Sequence, residues 1–208
     1  DLKEGYGELI NPVEKVGVYV PGGTARLPST VLMTAIPARV AGVVEVIVAT
    51  PAGGAGAPDP LVLVAADIAG VNRIFQIGGA QAIAAMAYGT ESVPKVDMVC
   101  GPGNVFVTLA KKMVYGDVGI DGLYGPTETM VIADDNANPT LCAADLLAQA
   151  EHDVLAMPVL ITTSEPLAKV VQRETQVRLE RLDRRRIAEA ALDQRGCIAI
   201  VSGLEEAI

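Results

Sequence analysis

The chain has no tryptophan, two phenylalanines, one histidine and three cysteines in 208 residues, and each scarcity removes a class of protein. Cys100, Cys142 and Cys197 are odd in number, far apart and without a Cys-x-x-Cys pair, so neither a disulfide framework nor a zinc knuckle is expected. They read as small, reduced residues of a cytoplasmic protein. No apolar run approaches the ~20 residues that a membrane-spanning helix needs. The opening Asp1, Leu2, Lys3, Glu4 has no basic region followed by an apolar stretch, so a secretory leader is not expected. Basic residues are outnumbered, with a formal net charge of −9 and one local run, Arg184 to Arg186, which argues against a nucleic-acid partner. A catalytic zinc normally takes three or more protein ligands, and a lone histidine without a cysteine cluster cannot complete such a site within this chain.

What is abundant is apolar and aliphatic. Hydrophobic residues make up 50% of the chain, enough to pack the core of one or two domains. Short β-branched runs at 16–20, 44–49, 73–77, 97–100, 129–133, 159–162 and 197–201 alternate with helical patterns at 29–41, 60–69, 80–88, 105–115, 139–152, 166–182 and 186–194. Several runs are apolar at consecutive positions, as strands buried on both faces should be. This rhythm predicts an α/β protein with parallel sheets. Pro37 should kink the first helix. The Gly- and Pro-rich segment 50–60 reads as a surface loop and not as a phosphate loop. A second break at 116–126 predicts a lead-in at 1–15, one domain at 16–126 and part of another at 127–208. The absence of an initial Met, and a final stretch from Glu205 to Ile208 that reads as the first turn of a helix, suggest a piece of a longer protein.

In open parallel sheets, ligands lie outside the carboxyl ends of the strands. Three post-strand turns carry glycines there: Val20-Pro21-Gly22-Gly23, Gly78-Gly79-Ala80-Gln81 and Gly101-Pro102-Gly103-Asn104. Glycines allow backbone to approach a ligand, and a helix start can receive an anion. Gln81 and Asn104 could hydrogen-bond a ribose or a nicotinamide. The plainer alternative is a set of tight turns with Asn104 as a helix cap. No turn completes Gly-x-Gly-x-x-Gly, so any dinucleotide site is of an atypical kind.

The single histidine, His152, closes a helix that starts at Asn138-Pro139. Asp145, Gln149 and His152 are spaced i, i+4, i+7 and share one face, so an imidazole and an amide oxygen could meet one metal ion. The alternative is a histidine interacting with its helix dipole. Glu151 points about 100° away from its neighbour and is not expected to be catalytic. Asp134 and Asp135 read as a solvated turn.

Taken in order, six motifs resemble the histidinol dehydrogenase family: Tyr19-Val-Pro-Gly-Gly23, Gly78-Gly-Ala-Gln-Ala-Ile-Ala-Ala85, Gly89-Thr-Glu-Ser-Val-Pro-Lys-Val-Asp97, Gly101-Pro-Gly-Asn-Val-Phe-Val107, Gly125-Pro-Thr-Glu128 and Gln149-Ala-Glu-His152. The resemblance implies two Rossmann-like domains, the second incomplete. It implies NAD-dependent oxidation of L-histidinol to L-histidine through an aldehyde, the last steps of histidine biosynthesis, with one zinc per site in a cytoplasmic homodimer. It assigns Tyr19, Gln81 and Asn104 to NAD, and Gln149 and His152 to zinc, with Thr127, Gln149 and His152 lining the substrate. Thr127 stands where the family usually has Ser. The family's Glu-His base pair and its remaining ligands would follow Ile208, so no catalytic residue is assigned here and the chain alone is expected to be inactive. The alternatives are a related dehydrogenase of another small polar alcohol, and a non-catalytic binding or assembly module of the same fold.

Overall fold

The computed structural model describes all residues except 1–4, 6, 23–26, 54–55 and 126. Its contacts divide the chain into two compact units, Asp1–Gly125 and Pro126–Ile208. The expected Gly23 of the first glycine turn lies outside the described residues.

The first unit runs β1 (Lys15–Tyr19), α1 (Pro28–Ala41), β2 (Glu45–Thr50), α2 (Pro60–Ile68), β3 (Arg73–Gln76), α3 (Gly79–Tyr88), β4 (Met98–Cys100), α4 (Val105–Val114) and β5 (Gly119–Ile120). All strands are parallel, in the order β3-β2-β1-β4-β5. The period-2 alternation of a strand separates two cores. Val16, Val18, Val46 and Val48 face α1 and α2, while Tyr19, Ile47 and Ala49 face α3 and α4. Gly17 is glycine because a Cβ there would come within 2.6 Å of Met86 Sδ on α3.

Local signals set the helix starts. Asp59, whose carboxylate accepts from the Leu61 amide, precedes Pro60 at the first position of α2. Gly42, at φ +94°, ends α1 in the left-handed conformation. α1 passes through Pro37 to Ala41, where a ring without an N–H leaves the Met33 carbonyl without its usual donor. The segment read as a loop at 50–60 is tied down in part: Gly53 donates to Ala57 O at 2.8 Å, and Gln76 Nε2 donates to Gly56 O at 2.9 Å.

The second unit runs β6 (Glu128–Ala133), α5 (Pro139–Ala150), β7 (Met157–Thr162), α6 (Glu165–Leu179), α7 (Arg185–Arg195), β8 (Cys197–Ile200) and α8 (Leu204–Ala207). Its strands are parallel in the order β6-β7-β8. Leu146 of α5 and Val171 of α6 pack with Leu160 of β7 in one core, and Ala150 and Leu179 pack with Ala188 and Ala191 of α7 in another.

The protein is thus α/β with parallel sheets, as the alternation of runs implies. Two details differ from the sequence reading. β5 lies inside the stretch read as a break, because a two-residue strand is too short to show periodicity and exists only through pairing with Met98 and Val99. α5 ends at Ala150, so His152 stands in the turn beyond the helix, its amide bonded to Gln149 O at 3.2 Å. Among the described residues, no helix is long and apolar enough to cross a membrane.

Candidate functional site

In the first unit, the strand order reverses between β1 and β4, the place where open α/β sheets receive ligands. Tyr19 ends β1 and Gly101 follows β4. Tyr19 is 4% exposed, and its hydroxyl accepts a hydrogen bond from the Gly79 amide at 3.0 Å, keeping its own proton to donate. Gly79, at φ +70°, opens α3, and a Cβ there would lie 2.8 Å from Gln81 Oε1. Gln81 therefore folds back over the glycine that Tyr19 holds, and remains exposed. Pro51, after β2, packs so closely under Gly78 that a Cβ would come within 2.6 Å of it.

Asn104 is the N-cap of α4, its Oδ1 accepting from Phe106 N at 3.1 Å and Val107 N at 3.2 Å. The cap uses the oxygen and leaves the Nδ2 donors of an exposed side chain for a ligand. These contacts change the expectation for an anion. Tyr19 occupies one amide at the start of α3, and Asn104 occupies two at the start of α4, so those amides are not open to a pyrophosphate.

Two residues here escaped the sequence reading. Lys111 on α4 is 2% exposed; its amine donates to Gly101 O at 3.0 Å and pairs with Asp121, just beyond β5. Asp121 Oδ2 accepts from Gly101 N at 2.7 Å. A lysine in an amphipathic helix reads as a surface charge, and nothing local distinguishes this one.

In the second unit, the residues of interest sit at the other end of the sheet. Thr127 precedes β6, and its carbonyl accepts from the Met157 amide, the first residue of β7, at 3.1 Å. Thr129, second in β6, donates through Oγ1 to Gln149 Oε1 at 2.8 Å. Gln149 lies in the last turn of α5 and His152 in the turn just beyond it. A helix joining two parallel strands runs back along the sheet, so its carboxyl end lies over their amino ends. Thr127, Gln149 and His152 are therefore at the amino edge of this sheet, contrary to the rule that served the first unit. At its carboxyl edge, after β6, Asp134 accepts from Asn136 N at 3.0 Å in the solvated turn expected from the sequence.

His152 is exposed, and its Nδ1 lies 2.6 Å from the Ala148 carbonyl oxygen. A carbonyl only accepts, so Nδ1 carries the proton and, in the neutral ring, Nε2 carries the lone pair. The same bond serves the plainer reading of a histidine capping its helix end. Gln149 Nε2 is buried and has no partner. Because the Thr129 hydroxyl can accept as well as donate, a half-turn of the amide keeps that bond and presents the oxygen at the orphaned position. An amide oxygen and an imidazole nitrogen at the negative end of a helix suit a cation. By donor chemistry, an amide oxygen and a neutral imidazole nitrogen are suited to form part of a zinc ligand set. Among the described residues, no group of three or more His, Cys, Asp and Glu could hold a metal.

The first unit is thus a doubly wound, Rossmann-like parallel α/β unit, with polar side chains and glycine turns at its switch point. Comparison with known proteins narrows the class: the family model for histidinol dehydrogenase matches residues 3–208, and the chain belongs to that family. It is 58% identical over 201 residues to a histidinol dehydrogenase of Dehalococcoides mccartyi strain CBDB1, covering 97% of this chain and 46% of that protein. It is 54% identical over 202 residues to one from Bacillus cereus, covering 97% and 47%. The crystal structure of histidinol dehydrogenase from Elizabethkingia anophelis superposes with a TM-score of 0.89 at 42% identity, over 95% of this chain and 46% of that one. The chain spans about half the length of these relatives.

Proposed function

We propose that the protein to which this chain belongs oxidises L-histidinol to L-histidine through the aldehyde, in two NAD-dependent steps assisted by zinc, as a cytoplasmic homodimer. The observation that carries the reading is the β1/β4 switch point, where Tyr19, Gln81 and Asn104 stand on glycine turns at the carboxyl edge of one sheet. The Tyr19 hydroxyl and the two amides offer both donors and acceptors, as a ribose and a carboxamide require. With the nearest helix-start amides already bonded, recognition rests on these side chains more than on a pyrophosphate cradle.

Gln149 and His152 would hold the zinc, and with Thr127 they would line the substrate. Bound zinc supplies a fixed positive charge that orients the amine and imidazole of the substrate. The chain's own groups prepare that site. The Ala148 carbonyl keeps the proton on Nδ1 of His152, and Thr129 holds the Gln149 amide. Holding the alcohol carbon in line with the hydride acceptor supplies much of the rate. The proton leaving the alcohol needs a base, which the family resemblance assigns to a Glu-His pair outside these 208 residues.

Replacing Asn104 by Ser tests the cofactor site cleanly, because Ser retains the capping oxygen and removes the amide donors. Titration calorimetry of NAD into the chain should show affinity lowered by about tenfold in N104S, with thermal stability unchanged. NAD binding of equal strength in N104S and the unsubstituted chain, or no binding by either, would defeat the assignment.

A further inference from the structure

We infer that Lys111 and Asp121 are positioning residues that preset the Gly101–Asn104 turn, and neutralise it, for an anionic dinucleotide; this deepens the cofactor reading above and rests on it. Gly101 is buried and takes φ +114°, past the end of β4. Both of its peptide groups are held by side chains: the carbonyl accepts from Lys111 Nζ at 3.0 Å, and the amide donates to Asp121 Oδ2 at 2.7 Å. The two side chains are bonded to each other, and Asp121 Oδ1 also accepts from Gly122 N at 2.9 Å. A closed ring of hydrogen bonds thus surrounds one residue.

The ring also fastens the turn to α4 at both ends. Asn104 ties its far end by capping the helix, and Lys111, on the second turn of the same helix, ties its near end at Gly101. Behind the amine, the Tyr124 ring lies 5.5 Å away, and the Tyr124 hydroxyl donates to Asp121 O at 3.0 Å. Thr108 Oγ1, also on α4, donates to Tyr124 O at 2.9 Å. Segment 121–124 is therefore moored to the same helix as the turn.

Stability alone is a poor reason for this arrangement. A buried ion pair costs desolvation, and well-packed apolar residues often replace one without loss. Two consequences serve a ligand instead. A turn held before binding does not have to be ordered by the ligand. A carboxylate behind a turn that receives an anionic ligand would repel it, and the lysine cancels that charge.

The test is NAD affinity of the chain and of its K111M, D121N and K111M/D121N forms, with amide hydrogen exchange read by NMR. K111M should bind NAD about tenfold or more weakly. Exchange should quicken at Gly101, Gly103 and Asn104 while the strands keep their protection. D121N should weaken binding less, because it leaves no unpaired negative charge. The double variant should fall no further than K111M, since the pair acts as a unit, and Asp121→Glu should recover part of the loss. A merely structural pair would lower thermal stability in all forms and leave affinity per folded molecule unchanged. If K111M does not fold, D121N and D121E, changed at a side chain 22% exposed, make the same comparison. Equal NAD affinity in K111M and the unsubstituted chain, or losses that simply add in the double variant, overturns the positioning role alone. An unsubstituted chain that binds no NAD overturns the cofactor reading, and the positioning role with it.

Discussion

The carbonyl oxygen of Tyr19 occupies the space a side chain at Gly101 would need: a Cβ built there overlaps the β1 backbone directly. Because the obstacle is main chain, it cannot move aside as a flexible side chain would. Gly101→Ala must therefore separate β1 from the turn after β4, and also place a side chain at φ +114°. A loss of about 2–4 kcal/mol is expected from overpacking and backbone strain together. Urea denaturation followed by circular dichroism measures it, and an unchanged midpoint would contradict the geometry.

His152 is the only imidazole of the chain, which makes its ring protons an unambiguous NMR reporter. With Nδ1 donating to Ala148 O, a zinc ion should reach Nε2. Titration with zinc should shift the ring resonances in the Nε2-bound pattern, and Gln149→Leu should weaken the response several-fold. Coordination through Nδ1, or a ring indifferent to millimolar zinc, would rule out this ligand pair.

Thr129 has one evident task, to hold the amide of Gln149 at 2.8 Å. Thr129→Val keeps the shape and removes the hydroxyl, leaving a partly buried amide without either partner. Stability should fall by about 1 kcal/mol. The zinc response of His152 should weaken along with it. A response as strong as that of the unsubstituted chain would show that Gln149 needs no such support.

The three cysteines should differ in reactivity. Burial, followed by the charge of Asp121 and offset by Lys111, pushes the Cys100 thiol up to about 11 from an ordinary value of 9.0. Cys142 is also raised, by desolvation first, whereas Cys197 is exposed. Iodoacetamide at pH 8 should alkylate Cys197 first, as mass spectrometry of the tryptic peptides would show. The sign for stability follows. The folded state favours the neutral Cys100 thiol, so its contribution is complete below about pH 9 and is lost as the pH rises through about 11. A chain whose Cys100 reacts as fast as Cys197 would exclude the buried thiol.

The alternation of β-branched runs with helical patterns was enough to read a parallel α/β protein, because buried parallel strands need consecutive apolar residues whatever their neighbours. Asn104 and Asn138 could be read as helix starts for a similar reason: a cap bonds amides two and three residues ahead, within reach of sequence alone. The ordered motifs around Tyr19, Gln81, Asn104, Gln149 and His152 were sufficient to suggest the family. Tertiary structure decided the rest. β5 exists only because β4 lies beside it. Lys111 and Asp121 meet because α4 returns β5 alongside the turn after β4, a matter of packing that no local pattern encodes. The placement of Thr127, Gln149 and His152 at the amino edge of their sheet likewise depends on α5 running back along the strands, since only the folded chain brings Thr129 and Gln149 within one hydrogen bond.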